Sequence, residues 1–189
     1  MKRPRLLQVV VLFAGASLFL SACQSGELIK RHSTAGLNGG FETTDGGYPV
    51  NWAFFPNPEV DNTFQVVVDS VEVLEGNVSL RVSTMPGKKL PGFRSIRVEV
   101  QPGRDYRLSL SFKNDGCSLQ VRRTMQNSFG ITNLRQDTIV DTSASSIHWE
   151  TFEETLSVSG EEAKVFLVFL IGGSGTVWFD DVKVEEIAG

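Results

Sequence analysis

The chain has 189 residues, of which 18 are basic and 22 are acidic, giving a formal charge of −4 at neutral pH. This balance argues against nucleic acid as a partner, because nucleic-acid-binding domains present basic patches to the phosphates. The length fits one domain, and with only Cys23 and Cys117 no internal disulfide is expected.

The start of the chain has the layout of a secretory signal. A basic stretch, MKRPR, precedes the apolar run LLQVVVLFAGASLFL, and LSAC follows that run. The LSAC sequence resembles the lipobox of bacterial lipoproteins, in which the signal is cut before the cysteine and the cysteine is acylated. An ordinary secretory signal followed by a chance cysteine is the alternative.

The lipobox resemblance implies a lipoprotein signal peptide over residues 1–22 and lipidation of Cys23. The protein would then be extracytoplasmic and held on a bacterial membrane by its lipid, and Gln24 favours the outer membrane. Removing the three basic residues of the signal leaves 15 basic against 22 acidic side chains, a formal charge of −7.

Residues 23–36 have mixed charge and no periodicity, which predicts a tether between the lipid and a folded domain. From Leu37 onward the apolar residues recur with period two. In YRLSLSFK, the residues Tyr106, Leu108, Leu110 and Phe112 fall on one face. Short alternating runs separated by Gly and Pro predict an antiparallel β-sandwich or barrel over residues 37–187.

Several motifs of this domain occur in the order found in a known class of sandwich. They are NGGFE, a tryptophan ten residues later, EGNVSLRV, VEVQPGRDYRLSLSFK, WETF and VWFDDVKVEEI. The chain resembles carbohydrate-binding modules of families four, nine and twenty-two, which are galactose-binding-like jelly rolls. The resemblance covers nearly all of residues 37–187 and implies an antiparallel jelly-roll sandwich that binds a polysaccharide or glycan.

The resemblance also implies a structural calcium ion at one end of the sandwich. Glu42 matches the glutamate of the opening strand, and Asp180 or Asp181 matches the aspartate of the closing strand. Backbone oxygens near Gly39 and Gly76 would complete the shell, since calcium takes six to eight oxygen ligands. Asp180 is favoured because it shares its parity with Val182 and Val184, which are predicted to face inward. The alternative is that these carboxylates are solvated charges at strand ends.

In the cleft-binding families the sugar lies on the concave sheet face opposite the core. The strand faces opposite the core give Phe93, Arg97, Gln120, Arg122 and Thr124 for that surface, and the resemblance adds Trp52. Trp52 would line the cleft or cover its entrance, with a place in the core as the alternative. The run KVFLVFLI is apolar on both faces, so Val165, Leu167 and Phe169 or else Phe166, Val168 and Leu170 require a cover, which is a ligand cleft or a loop.

No catalytic constellation is found in the sequence. Neither Asp180–Asp181 nor Glu153–Glu154 forms an acid/base pair by itself, because adjacent residues of a strand point to opposite faces. We therefore expect a non-catalytic, lipid-anchored, carbohydrate-binding protein of the bacterial cell envelope. The alternative is a structural or protein-interaction lipoprotein that uses the same sandwich without binding sugar.

Overall fold

The computed structural model describes residues 28–29, 36–85 and 90–188. The predicted signal peptide, Cys23 and most of the predicted tether lie outside these ranges. Every helix or strand element in the described part is a β-strand, which confirms the predicted all-β class. No helix within these ranges is long and apolar enough to cross a membrane.

The strands are numbered in chain order. They are β1 (Leu28–Ile29), β2 (Thr44–Asp45), β3 (Tyr48–Pro49), β4 (Trp52–Phe55), β5 (Phe64–Asp69), β6 (Ser79–Thr84), β7 (Gly92–Ser95), β8 (Val98–Glu99), β9 (Asp105–Gln126), β10 (Asn133–Thr142), β11 (Glu150–Ser157) and β12 (Lys164–Glu186). All pairings are antiparallel, and β2 and β3 form a small hairpin apart from the main sheet.

Two long strands organise the sandwich. β9 has 22 residues and β12 has 23, and they pair with each other along almost their whole length. Residues 117–126 and 164–173 form layer one together with β10, β7, β8, β4 and β1. Residues 105–114 and 176–186 form layer two together with β11, β6 and β5. The register shift between Gly173 and Thr176 marks the passage of β12 from one layer to the other.

The core lies between the two layers and is rich in aromatic rings. Phe93 of β7 stacks on Phe169 of β12 with 4.4 Å between ring centroids, and Phe179 meets both rings edge-on. Leu108 and Leu110 of layer two pack into the same cluster and are fully buried. Burying one such side chain contributes about 1.5–3 kcal/mol, so this cluster is the main source of stability in the fold.

Leu28 and Ile29 belong to the segment predicted as a tether, yet they pair with Phe54 and Ala53 of β4. The short strand β1 therefore extends layer one beyond β4. This strand covers backbone groups of β4 that would otherwise lie at an open sheet edge. At least these two residues of the predicted tether are part of the sheet.

Candidate functional site

The acidic residues predicted near the two ends of the domain meet in one pocket. Glu42, Asp180 and Asp181 line this pocket together with Gly40, Glu75, Gly76 and Lys183. A side chain at Gly40 would occupy the space between the two predicted ligands. Its Cβ would lie 3.7 Å from Cγ of Glu42 and 3.9 Å from Oδ1 of Asp180. We call this feature the acidic pocket.

Backbone amides hold the Glu42 carboxylate in place. Its Oε1 accepts hydrogen bonds from the amides of Asn77 at 2.6 Å and Val78 at 3.2 Å. The pKa of Glu42 lies below its ordinary value, mainly because the Asn77 amide donates a hydrogen bond to the carboxylate. The loop can approach this closely because position 76 is glycine, where a Cβ would lie 2.1 Å from Oε1 of Glu42.

Asp180 is completely buried, whereas Asp181 is not. The Oδ2 atom of Asp180 accepts the amides of Leu74 at 3.0 Å and Glu75 at 3.1 Å, and its Oδ1 accepts the amide of Asp181 at 2.8 Å. Burial nevertheless raises the pKa of Asp180, because these donors do not fully replace water around the charge. Asp181 has a positive φ of 53° and forms an ion pair with Lys183.

The donor chemistry of the acidic pocket fits a hard cation. Glu42 and Asp180 supply carboxylate oxygens, and the buried charge of Asp180 would be stabilised by a positive ion. Among the described residues, no group of three or more Asp, Glu, His or Cys side chains is placed to hold a metal. Any further ligands would therefore have to be backbone oxygens or water. Gly40 lines the pocket, whereas the carbonyl oxygen of the preceding Gly39 accepts the amide of Val182 at 3.1 Å.

A second candidate surface lies on the outer face of layer one. Alternation along β12 sends Leu167 and Phe169 into the core, so Phe166, Val168 and Leu170 face outward. Val168 pairs with Arg94 of β7 on one side and with Arg122 of β9 on the other. Leu170 likewise lies between Gly92 and Gln120, and Phe166 pairs with Thr124. An apolar strip is thus flanked by polar side chains on the neighbouring strands.

The polar side of this face is hydrogen-bonded into a chain. Nε of Arg122 donates to Oε1 of Gln120 at 2.7 Å, and Nε2 of Gln120 donates to Oδ2 of Asp141 at 3.2 Å. Gln120, Arg122, Asp141 and Leu170 line one pocket on this face. Two of the predicted sugar-binding residues are therefore neighbours on the surface.

Arg97 lies in the connection between β7 and β8. It belongs to the same outer face, at the Phe166 end of the apolar strip. Its Nε donates to Oε1 of Gln126 at 2.6 Å, and its guanidinium lies 5.6 Å from the ring centroid of Phe166. The ring of Phe55 lies on this face directly over Gly92. A Cβ added at Gly92 would be only 2.7 Å from the Cε2 atom of Phe55. Prediction from the sequence missed Arg94, and it left open which face of β12 carries Phe166.

Two residues predicted for this face lie in the core instead. Trp52 and Phe93 are each 1% exposed, and their ring centroids are 5.5 Å apart. The indole nitrogen of Trp52 donates to the carbonyl oxygen of Asn38 at 3.0 Å, which satisfies its only polar atom inside the fold. Neither ring can stack on a sugar, so both assignments are wrong.

Comparison with solved structures identifies the architecture. The xylan-binding domain CBM22-1 of Paenibacillus barcinonensis Xyn10C is 12% identical with a TM-score of 0.53, covering 79% of this chain and 92% of that domain. A structure described as "CBM4 structure and function" is 21% identical with a TM-score of 0.53, covering 79% of this chain and 98% of that chain. The chain has the jelly-roll fold of carbohydrate-binding modules.

The same sandwich also occurs inside larger proteins. The enzymatically active domain of tailspike protein 4 from bacteriophage CBA120 is 14% identical with a TM-score of 0.59. The match covers 84% of this chain but only 22% of the tailspike chain, so it concerns one part of that enzyme. No protein-family model matches the chain, and no match was found among the sequences of curated proteins.

Proposed function

We propose that the chain is a non-catalytic carbohydrate-binding protein whose polysaccharide ligand lies on the outer face of layer one. The observation that carries this proposal is the hydrogen-bonded pair Gln120–Arg122 beside the apolar strip of Val168 and Leu170. Planar polar groups suit sugar hydroxyls, and apolar side chains suit the C–H faces of the rings. The xylan-binding neighbours of the same fold support a polysaccharide ligand.

The ion pairs of two adjacent glutamates of β11, Glu153 and Glu154, also agree with a binding role. Glu153 of β11 pairs with Arg107 at 3.1 Å, and Glu154 pairs with Arg123. The two adjacent carboxylates point to opposite faces of β11 and form separate ion pairs, so they do not face each other as an acid/base pair.

The proposal includes a calcium ion in the acidic pocket. Glu42 and Asp180 would hold it through their carboxylates, and backbone oxygens near Gly40 and Gly76 would add further ligands. When bound, the ion would neutralise two acidic groups and join residues of both ends of the domain. Its role would be structural, because the pocket is formed by Gly40, Gly76 and strand β12 and not by the outer face of layer one.

Anchoring through Cys23 completes the proposed function. The lipobox sequence LSAC supports a lipid-modified cysteine that holds the domain on a bacterial membrane, with Gln24 favouring the outer membrane. Multiple acyl chains anchor stably, since each buried methylene contributes about 0.8 kcal/mol. Labelling cells with an alkyne analogue of palmitate should mark the wild type and not Cys23→Ala; equal labelling of both contradicts the anchor.

The test of sugar binding is a polysaccharide screen with the purified protein, followed by affinity measurements on Gln120→Ala and Arg122→Ala. Both variants should bind each positive polysaccharide more weakly while keeping the melting temperature of the wild type. Arg107→Ala is the matched control, because Arg107 is exposed on layer two. Full binding by both face variants, or equal loss in the control, contradicts this site.

A further inference from the structure

Most basic side chains of the domain are neutralised by carboxylates. Within residues 36–85 and 90–188, ion pairs with Asp or Glu are formed by Arg81, Arg104, Arg107, Lys113, Arg123, Arg135, Lys164 and Lys183. Arg97 and Arg122 differ from this group. In the described part of the chain, neither guanidinium lies within ion-pair distance of a carboxylate.

Glutamines orient these two arginines without neutralising them. The partner of Arg97 is the amide oxygen of Gln126, and the partner of Arg122 is the amide oxygen of Gln120. Asp141 reaches Arg122 only through Gln120, because its carboxylate accepts from the other end of that amide. A guanidinium has five N–H donors, and the glutamine uses the Nε–H of each arginine. Four N–H donors of each guanidinium remain, and the group keeps its positive charge.

Both arginines lie on the outer face of layer one. Arg122 is paired across the sheet with Val168, and Arg97 covers the ring of Phe166, the preceding outward residue of β12. Arg94 lies on the same face beyond Val168, but it already has a partner inside the protein. Two unneutralised cations are thus placed along one apolar strip.

The charge of these arginines decides between classes of polysaccharide. A neutral chain lying on the strip would offer hydroxyl oxygens to these two cations but no opposite charge. A carboxylate or sulfate group would neutralise a guanidinium and accept two parallel hydrogen bonds from it. Elsewhere the predicted mature chain is acidic, so it repels anions except at a local cationic site.

We infer that the ligand of this face is an anionic polysaccharide, whose acidic groups pair with Arg97 and Arg122. This inference rests on the proposed sugar-binding function and names the class of sugar. Uronic acid carboxylates and sulfate esters share the required chemistry. The two sources are distinguished by including both kinds of polymer in the binding test.

The experiment compares polymers that differ only in charge. Titration calorimetry of the purified protein uses glucuronoxylan and the same glucuronoxylan after chemical reduction of its carboxyl groups. Polygalacturonate and dextran sulfate, each beside its neutral counterpart, form the two further arms. We expect binding of an acidic polymer to exceed that of its neutral form by roughly tenfold, and to weaken as salt concentration rises.

Variants connect that preference to the two arginines. Arg97→Gln and Arg122→Gln should each reduce the preference for the acidic polymer, whereas Arg107→Gln, which changes the net charge equally, should not. Equal binding of charged and neutral polymers overturns the anionic class and leaves the proposed function standing. Failure to bind any polymer overturns both, and an equal effect of Arg107→Gln overturns the role of Arg97 and Arg122.

Discussion

The guanidinium of Arg123 joins the two layers of the sandwich by pairing with the carboxylate of Glu154. Arg123 lies on the part of β9 that belongs to layer one, and Glu154 lies on β11 in layer two. The arginine is paired with Asp137 of β10 as well, and its side chain is only 9% exposed. A charge from one layer therefore spans the gap between β10 and β11.

Removing this arginine should be costly. Arg123→Met leaves Glu154 without its cation and leaves Asp137 with only Arg135, at 3.6 Å. Because both carboxylates are partly exposed, we expect a cost between those of an exposed and a buried pair, about 1–3 kcal/mol. For a domain of this size that corresponds to a fall in melting temperature of roughly 2–12 °C. Arg107→Met is the matched control on β9, since its pair with Glu153 is exposed and contributes about 0–1 kcal/mol. Equal melting temperatures of the two variants would show that the buried cluster adds no stability.

Calcium should raise the melting temperature of the wild-type protein if the acidic pocket binds it. At a concentration one hundred times Kd, binding stabilises by about 2.7 kcal/mol, which corresponds to roughly 5–10 °C. Glu42→Gln should lose most of this response, because the change removes a ligand charge and little volume. The measurement is scanning fluorimetry in calcium and in chelator. Identical curves for a sample shown by elemental analysis to be metal-free would contradict the site.

The close approach of Gly76 to Glu42 leads to a prediction that does not need the metal. Gly76→Ala would place a Cβ 2.1 Å from Oε1 of Glu42 at a position with φ of +74°. Gly47→Ala has the same kind of backbone, with φ of +83°, but its Cβ would meet nothing within 4 Å. Both variants should lose about 1–2 kcal/mol from backbone strain, and only Gly76→Ala should also displace Glu42. Its melting temperature in chelator should therefore be the lower of the two.

The pH dependence of Glu42 follows from its lowered pKa. A carboxylate whose pKa is depressed in the folded state stabilises the protein above its unfolded pKa, here 4.5. This stabilisation is lost as the pH falls through the lower pKa of the folded state. In chelator, the difference in melting temperature between the wild type and Glu42→Gln should be constant above that range and shrink below it. A difference that grows on acidification would contradict the hydrogen bonds from Asn77 and Val78.

Alternation along single strands made most of the fold predictable. Leu108, Leu110 and Phe112 face the core as expected, and so do Leu119 and Val121, which leaves Gln120 and Arg122 on the outer face. The inward-facing residues of β9 change from even to odd numbers between Phe112 and Cys117, where the strand passes from layer two to layer one. The same rule failed for Phe93. Strict alternation puts Phe93 and Arg97 on the same face, since they are four residues apart. However, β7 ends at Ser95 and β8 begins at Val98, so the alternation of side chains is interrupted in the connection that holds Arg97.

The sequence also left one ambiguity that only packing resolves. The run KVFLVFLI is apolar on both faces, and its two sets of residues look equally suited to a core. The structure places Phe169 against Phe93, while Phe166 lies under the guanidinium of Arg97. The contact between Arg97 and Phe166 joins different strands, so no local pattern in the sequence reports it.

The central position of β12 in both layers has a consequence for how the protein is made. Residues 164–173 pair with β7, β8 and β9 in layer one, and residues 176–186 pair with β6 and β9 in layer two. A nascent chain that has not reached Lys164 lacks the strand between β9 and β7 and the strand between β9 and β6. Layer one stays incomplete until residue 173 has been synthesised and layer two until residue 186, so folding waits for almost the whole described domain and cannot proceed from its first strands.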